Sequence, residues 1–140
     1  MSLEENKAVS RRYMEEIINT KYPTAIDEIC SPDYIDHAPF PGMPPNRDGL
    51  KQFLEMNIAA LPDYHSTIED IVAEGDKVVL RFTGRGTHRG AMMGIPPTGK
   101  QVTIKGIAIH RIANGKVVEN WVTMDMLSVM QQLGAVPPPS

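Results

Sequence analysis

Cysteine is almost missing from this chain: Cys30 stands alone among 140 residues. No intrachain disulfide can form, so a reducing, cytoplasmic setting is the default expectation. Cys30 falls in a helical pattern and reads as a small buried hydrophobe rather than a nucleophile. Basic runs are missing as well, and the net charge is -3. That removes the electrostatic footprint of a nucleic-acid binder. Lys77, Arg81, Arg85 and Arg89 share one parity, and such alternation reads as the wet face of a strand. No apolar stretch approaches the roughly 20 residues of a membrane helix. The opening MSLEENK has no apolar signal-peptide region. Repeats, low-complexity blocks and domain linkers do not occur. Neither does a Ser-His-Asp or Cys-His nucleophile pattern, nor a glycine-rich phosphate loop. The 4 histidines, His37, His65, His88 and His110, show no HxH or HExxH spacing, so no metal is expected.

What is present suits one packed domain. Hydrophobic residues make up 41% of the chain, enough for a core and against disorder. Residues 1–135 read as a single domain and 136–140 as a loose proline-rich tail.

Helices come first. Ser2-Leu3-Glu4-Glu5 fits a capping box. Behind it Val9, Tyr13 and Ile17 recur every fourth residue, with Met14 and Ile18 beside them. Pro23 suits the first position of a short helix that turns Ile26, Ile29 and Cys30 inward and ends at Pro32. Asp33 to Ala38 is extended and runs into the loop PFPGMPPN. Asn46 caps a third helix with Leu50, Phe53, Leu54, Ile58 and Leu61 on its stripe, stopped by Pro62. Strands follow. Tyr64 to Ala73 alternates imperfectly, which predicts a bulge. Val78 to His88 puts Val78, Leu80 and Phe82 on one face. The connection RGAMMGIPPTG is long and partly apolar, fitting a pocket cover or a subunit contact. A last helix carries Leu127, Met130 and Leu133 and ends at Gly134. Helices set against a meander of antiparallel strands make an α+β architecture. A strongly curved sheet with helices over its concave face makes a cone with one open end.

The most informative stretch is QVTIKGIAIHRIANGKVVENWVTMDML, residues 101–127. Asn114-Gly115 predicts a two-residue type I′ turn, and a two-residue turn fixes the register. Ile112 then faces Val117, His110 faces Glu119, Ala108 faces Trp121, Gly106 faces Thr123 and Ile104 faces Asp125. One face would carry His110, Glu119, Trp121, Thr123 and Asp125 around the small Gly106 and Ala108. The other would carry Ile107, Ile109, Val118, Val122 and Met124. Small residues beside large polar ones leave room, and the first face reads as a pocket wall. The alternative is a solvent-exposed face, against which Trp121 and Ile104 argue because both are costly to leave in water.

The chain resembles the SnoaL-like polyketide cyclases of the nuclear-transport-factor-2-like (NTF2-like, cystatin-like) superfold. The resemblance rests on NKAVSRRYMEEI, PDYIDHAP, DGLKQFLEMNIAALPD, VAEGDKVVLRFTGRGTHRGAMMGIPPTGK and IHRIANGKVVENWVTMDML followed by QQLG. GTHRG…GIPPTGK and GKVVENW…D are the most distinctive of these segments. It implies a cone-shaped α+β barrel with an interior cavity, and ring closure by intramolecular aldol condensation without metal or other cofactor. It also implies an acid–base aspartate on the last long strand, and the matching position is Asp125. An alternative for Asp125 is the cap of the helix that follows it.

Aldol closure needs a proton taken from carbon next to a carbonyl and one delivered to the developing alkoxide; a single carboxyl of raised pKa can do both. His110, charged or NH-donating beside Glu119, is expected to stabilise the enolate. A structural His–Glu pair is the alternative. His37, Trp121, His88, Tyr13 and Phe53 complete the expected binding set, with Glu119; His65 looks peripheral. The expected ligand is a small apolar or aromatic carbonyl compound. A non-catalytic holder of hydrophobic small molecules, an epoxide hydrolase or a ketosteroid-type isomerase would use the same hollow. The outer apolar face of the sheet, with Ile107, Ile109, Val118 and Val122, suggests a homodimer or higher homo-oligomer.

Overall fold

The computed structural model describes residues 2–21 and 23–137. Helix α1, Leu3–Arg12, begins with the expected capping box. The Glu5 N–H donates to Ser2 Oγ at 3.1 Å, and the Ser2 N–H donates to Glu5 Oε1 at 3.1 Å. From Tyr13 to Asn19 the helix widens into a π-helical segment. The Thr20 N–H there reaches the Glu15 carbonyl, five residues back, at 3.2 Å. The extra residue per turn brings Tyr13, Met14 and Ile17 inside together, where a regular helix offers one narrower stripe.

Helix α2, Pro23–Ile29, stops one residue before the expected Cys30, which instead opens strand β1, Cys30–Asp36. Pro32 therefore sits in a strand rather than ending a helix. The strand is at the sheet edge, where a missing N–H is tolerated. Cys30 is buried as expected. Helix α3, Arg47–Ala60, is capped by Asn46, whose Oδ1 accepts from the Gly49 N–H at 3.2 Å. Its inward positions are Leu50, Leu54, Asn57 and Ala60. Ile58, expected inside, is exposed.

Strands β2, His65–Glu74, β3, Lys77–Thr87, β4, Gln101–Ala113, and β5, Lys116–Met124, precede helix α4, Met126–Gln132. The order across the sheet is β1-β5-β4-β3-β2. All neighbours are antiparallel except β1 and β5, which run parallel. The expected bulge in β2 lies between Ile68 and Asp70. The fold is α+β, a curved five-stranded sheet with its helices packed across it.

Asn114 and Gly115 take positive φ, +52° and +76°, the conformation of a type I′ turn. Ala113 pairs with Lys116 and Ile112 with Val117, as the turn predicts. Arg111, however, pairs with Glu119, leaving Val118 as an extra residue. This bulge shifts β5 by one position. Opposite His110 stands Asn120, opposite Ile109 Trp121, opposite Ala108 Val122, opposite Ile107 Thr123 and opposite Gly106 Met124. A one-residue shift turns every later side chain to the other face. Asn120, Val122 and Met124 therefore point inward, and Glu119, Trp121 and Thr123 outward, the reverse of the expectation from the turn alone.

Two glycines set the depth of the interior. A Cβ on Gly84 would lie 2.0 Å from the Tyr64 hydroxyl oxygen, and one on Gly106 would lie 2.5 Å from the Phe82 ring. Both rings lie flat on the sheet because these positions have no side chain. The core beneath α1 and α2 holds Ile17, Ile26, Ile29, Tyr34, Val78 and Val117. A second cluster, with Leu61, Val102, Ile104 and Val129, sits under α4.

Candidate active site

A hollow of about 80 Å³ lies between the concave side of the sheet, the π-helical segment, α3 and the loop after β1. Its walls are mostly apolar: Met14, Ile18, Leu50, Phe53, Phe82 and Val122 among others. The loop closes one side with Pro39, Phe40, Met43 and Pro44. Gly49 admits that loop, since a Cβ there would lie 1.7 Å from the Pro44 carbonyl oxygen.

Polar groups converge at the sheet end. His110 is 1% exposed. Its Nδ1 lies 3.0 Å from the Ser10 Oγ of α1, and its ring packs on Tyr13 at 4.5 Å between centroids. Its Nε2 has no hydrogen-bond partner among the described residues. Burial pushes the imidazole pKa down to about 3, so the ring is neutral at physiological pH. Asn120, directly across the ladder, is also buried and leaves its Oδ1 without a donor. Buried polar atoms are normally paired. Two unpaired atoms on facing residues of one cavity wall mark a place where a polar ligand group would be held.

Asp36 is the carboxyl of this cavity. The parallel register sets it beside Asn120, so both face the hollow. Its Oδ1 accepts from the Ala38 N–H at 2.8 Å. Burial raises its pKa, against the opposing pull of that N–H and of His37. The Tyr13 and Tyr34 hydroxyls meet at 3.0 Å behind it. Burial first, and then each other's proximity, keeps Tyr13 protonated, and burial does the same for Tyr34. The site therefore combines a carboxyl whose pKa burial raises, a neutral imidazole and an amide in an apolar shell.

The family model for SnoaL-like polyketide cyclases matches residues 8–133. The chain belongs to that family. Among solved structures, the SnoaL-like chain is similar to AclR from Streptomyces galilaeus, described as a candidate hydroxylase. Identity is 30% over 99% of this chain and 87% of that one, with a TM-score of 0.85. It is similar to IdmH from Streptomyces antibioticus, described as a candidate polyketide cyclase. Identity there is 30% over 92% and 98% of the two chains, with a TM-score of 0.81. TsrD from Streptomyces laurentii matches at 26% identity over 97% and 99%, with a TM-score of 0.87. No curated protein matches in sequence. The NTF2-like fold expected from the sequence is the one these structures share.

The SnoaL-like chain brings together only part of the residue set expected from its sequence. Tyr13, Phe53 and His110 line the hollow. Trp121 does not: the bulge turns it to the outer face, where it stacks on His37 at 4.6 Å between centroids. Glu119 is on that outer face too, accepting from Arg111 Nε at 2.7 Å and lying 2.9 Å from His37 Nε2. Arg111 first, and His37 second, hold the Glu119 carboxyl below its usual range. The expected His110–Glu119 pair is thus replaced by His110–Ser10, and of the two states expected for His110, charged or NH-donating, burial leaves the neutral one. His37 is exposed on the rim and does not line the cavity. His88 is fully buried away from it. Its Nδ1 accepts from the Thr98 N–H at 3.2 Å, and its backbone pairs with Lys100 and Gly99, clasping the 89–99 loop.

Asp125 lies past the end of β5, exposed, and its Oδ1 accepts from the Ser128 N–H at 3.0 Å. It caps α4 and does not reach the hollow. His65 is exposed, as expected. Val122 and Met124, expected outside, line the cavity, while Ile107 stays exposed outside. Asn120, Asp36, Ser10 and Tyr34 were not singled out from the sequence. Asp36 carried one usable signal, since it shares strand parity with the buried Tyr34. Among the described residues no three His, Cys, Asp or Glu side chains converge as metal ligands. No helix among the described residues is long and apolar enough to cross a membrane.

Proposed function

We propose that the protein holds a small, mostly apolar carbonyl compound in this cavity and moves protons on it, with Asp36 as the acid–base group. Asp36 removes a proton from the carbon next to the carbonyl. The negative charge passes to the carbonyl oxygen, which the His110 Nε2–H receives as hydrogen-bond donor. That tautomer follows if the Ser10 hydroxyl donates to Nδ1. A neutral imidazole kept out of water stabilises such an oxyanion without having to be charged first. The enolate carbon then either attacks a second carbonyl of the same molecule, closing a ring, or takes a proton back at a different carbon. In the first case Asp36 returns its proton to the new alkoxide.

One observation carries this reading: the one carboxyl that lines the cavity among the described residues, its pKa raised by burial, shares a wall with the two unpaired polar atoms. Membership in the SnoaL-like family supports the ring-closing version. A holder that does not transform its ligand would use the same hollow and would show binding without proton transfer.

The test is deuterium exchange at the carbons flanking the carbonyl of 2-octanone in D₂O, followed by NMR. The wild-type chain accelerates exchange. Asp36→Asn folds, keeps its affinity for the ketone and loses at least ~100-fold of the acceleration, the usual contribution of one acid–base group. Binding without acceleration in the wild type would favour the holder. Undiminished exchange in Asp36→Asn would remove Asp36 from the role.

A further inference from the structure

Helix α3 breaks its own apolar stripe at one position. Leu50, Leu54 and Leu61 are buried at helical spacing, and the place between the last two is taken by Asn57, itself 7% exposed. Its neighbour Ile58 faces solvent at 41%. A helix that turns an amide inward and an isoleucine outward gives up apolar burial. The Asn57 Oδ1, moreover, has no donor among the described residues.

Asn57 lines a second hollow, about 30 Å³, on the far side of the Phe40 and Phe53 rings. Those rings meet at 5.2 Å between centroids. They belong to both hollows, as do Tyr64 and Met124, so the ring pair is a partition and not a wall. Beyond it the lining is rich in methionine, with Met56, Met92 and Met126. Methionine repacks at low cost around an irregular guest, so a hollow lined this way widens more readily than one built of branched side chains. Met92 reaches it from the 89–99 loop and is buried, while the adjacent Met93 is exposed.

We propose that this chamber is a second binding compartment. It takes the distal apolar arm of an elongated carbonyl ligand past the Phe40–Phe53 partition, with the Asn57 amide receiving a hydroxyl at the arm's end. This deepens the reading above, since it supposes that the carbonyl end sits at His110 and Asn120. The substrate class is then a chain-like compound of several carbons with a polar group at each end, rather than a compact ring.

The test is a titration of the full chain with 2-butanone, 2-octanone and 2-decanone, followed by NMR. A matched pair, 2-octanone and 8-hydroxy-2-octanone, probes the far end. Each methylene that enters the chamber tightens Kd by about four-fold. Met56→Trp fills the chamber and flattens this dependence, leaving 2-butanone unaffected. Asn57→Leu reverses the hydroxyl preference, weakening 8-hydroxy-2-octanone roughly ten-fold relative to 2-octanone. Thermal unfolding of both variants reports on folding. If either variant misfolds, the wild-type chain-length series and hydroxyl preference still decide. A Kd independent of chain length, or a dependence that Met56→Trp leaves intact, would overturn the proposal. 1-Octanol, which has no carbonyl, separates the two readings. If it binds while 2-butanone does not, the chamber stands and the carbonyl site fails. If 2-butanone binds while 1-octanol and the longer ketones gain nothing, the reverse holds.

Discussion

His110 stands directly across the β4–β5 ladder from Asn120, and each has one unpaired polar atom among the described residues and lines the same hollow. Neither atom would be tolerated there at random, because a buried donor or acceptor without a partner costs about 1–3 kcal/mol. The pair exists because the Val118 bulge moves β5 by one residue. Without it, Glu119 would occupy Asn120's place, and a buried carboxylate would face a buried imidazole.

The His110 pKa gives stability a distinct acid limb. Folded, the group titrates near 3, and its ordinary value is 6.5. Between those values the unfolded chain binds the extra proton, so stability rises with pH and is lost as pH falls from about 6.5 toward 3. The limiting contribution is about 1.4 kcal/mol per pH unit. Urea unfolding between pH 4.5 and 7 should show this slope, and His110→Gln should lose about one proton's worth of it. An identical slope in the variant would mean that other groups carry the acid limb.

Asp125 has a structural task that substitution can isolate. Its side chain accepts the Ser128 N–H at the start of α4, and loss of such a cap costs about 1 kcal/mol. Asp125→Ala is expected to lower the unfolding free energy by that amount and to leave deuterium exchange on 2-octanone unchanged. If exchange disappears while the fold and ketone affinity persist, the acid–base role belongs to Asp125 and not to Asp36.

Gly84 is expected to control the shape of the cavity through Tyr64. A methyl at this position would lie 2.0 Å from the tyrosine oxygen and 2.4 Å from its Cζ. The ring has to swing into the hollow it now borders. Gly84→Ala should therefore destabilise the protein by roughly 1–3 kcal/mol, the usual cost of overpacking, and weaken 2-octanone binding. Adding Tyr64→Leu should return much of both losses, because the two sites share one contact and their effects do not add. Purely additive losses would show that the clash is relieved elsewhere.

Local chemistry in the chain was enough to define most elements. The Ser2–Glu5 box, the Asn46 cap and the Asn114-Gly115 turn depend on residues a few positions apart, and such interactions form wherever the backbone allows them. The segments that carry the SnoaL-like resemblance are legible for the same reason. So are Tyr13 and Phe53, large apolar residues at helical spacing that reach the cavity. What the tertiary structure alone decided is which way β5 faces. The single unpaired residue at Val118 leaves no trace in composition or alternation, yet it exchanges Glu119, Trp121 and Thr123 for Asn120, Val122 and Met124 inside. The position of β1 is likewise a non-local matter, since its parallel pairing with β5 joins residues more than eighty apart and sets Asp36 beside Asn120. Sequence fixes strands by their neighbours along the chain, but a register offset is resolved by the energy of the whole packed interior, where one residue's shift moves an entire face between core and water.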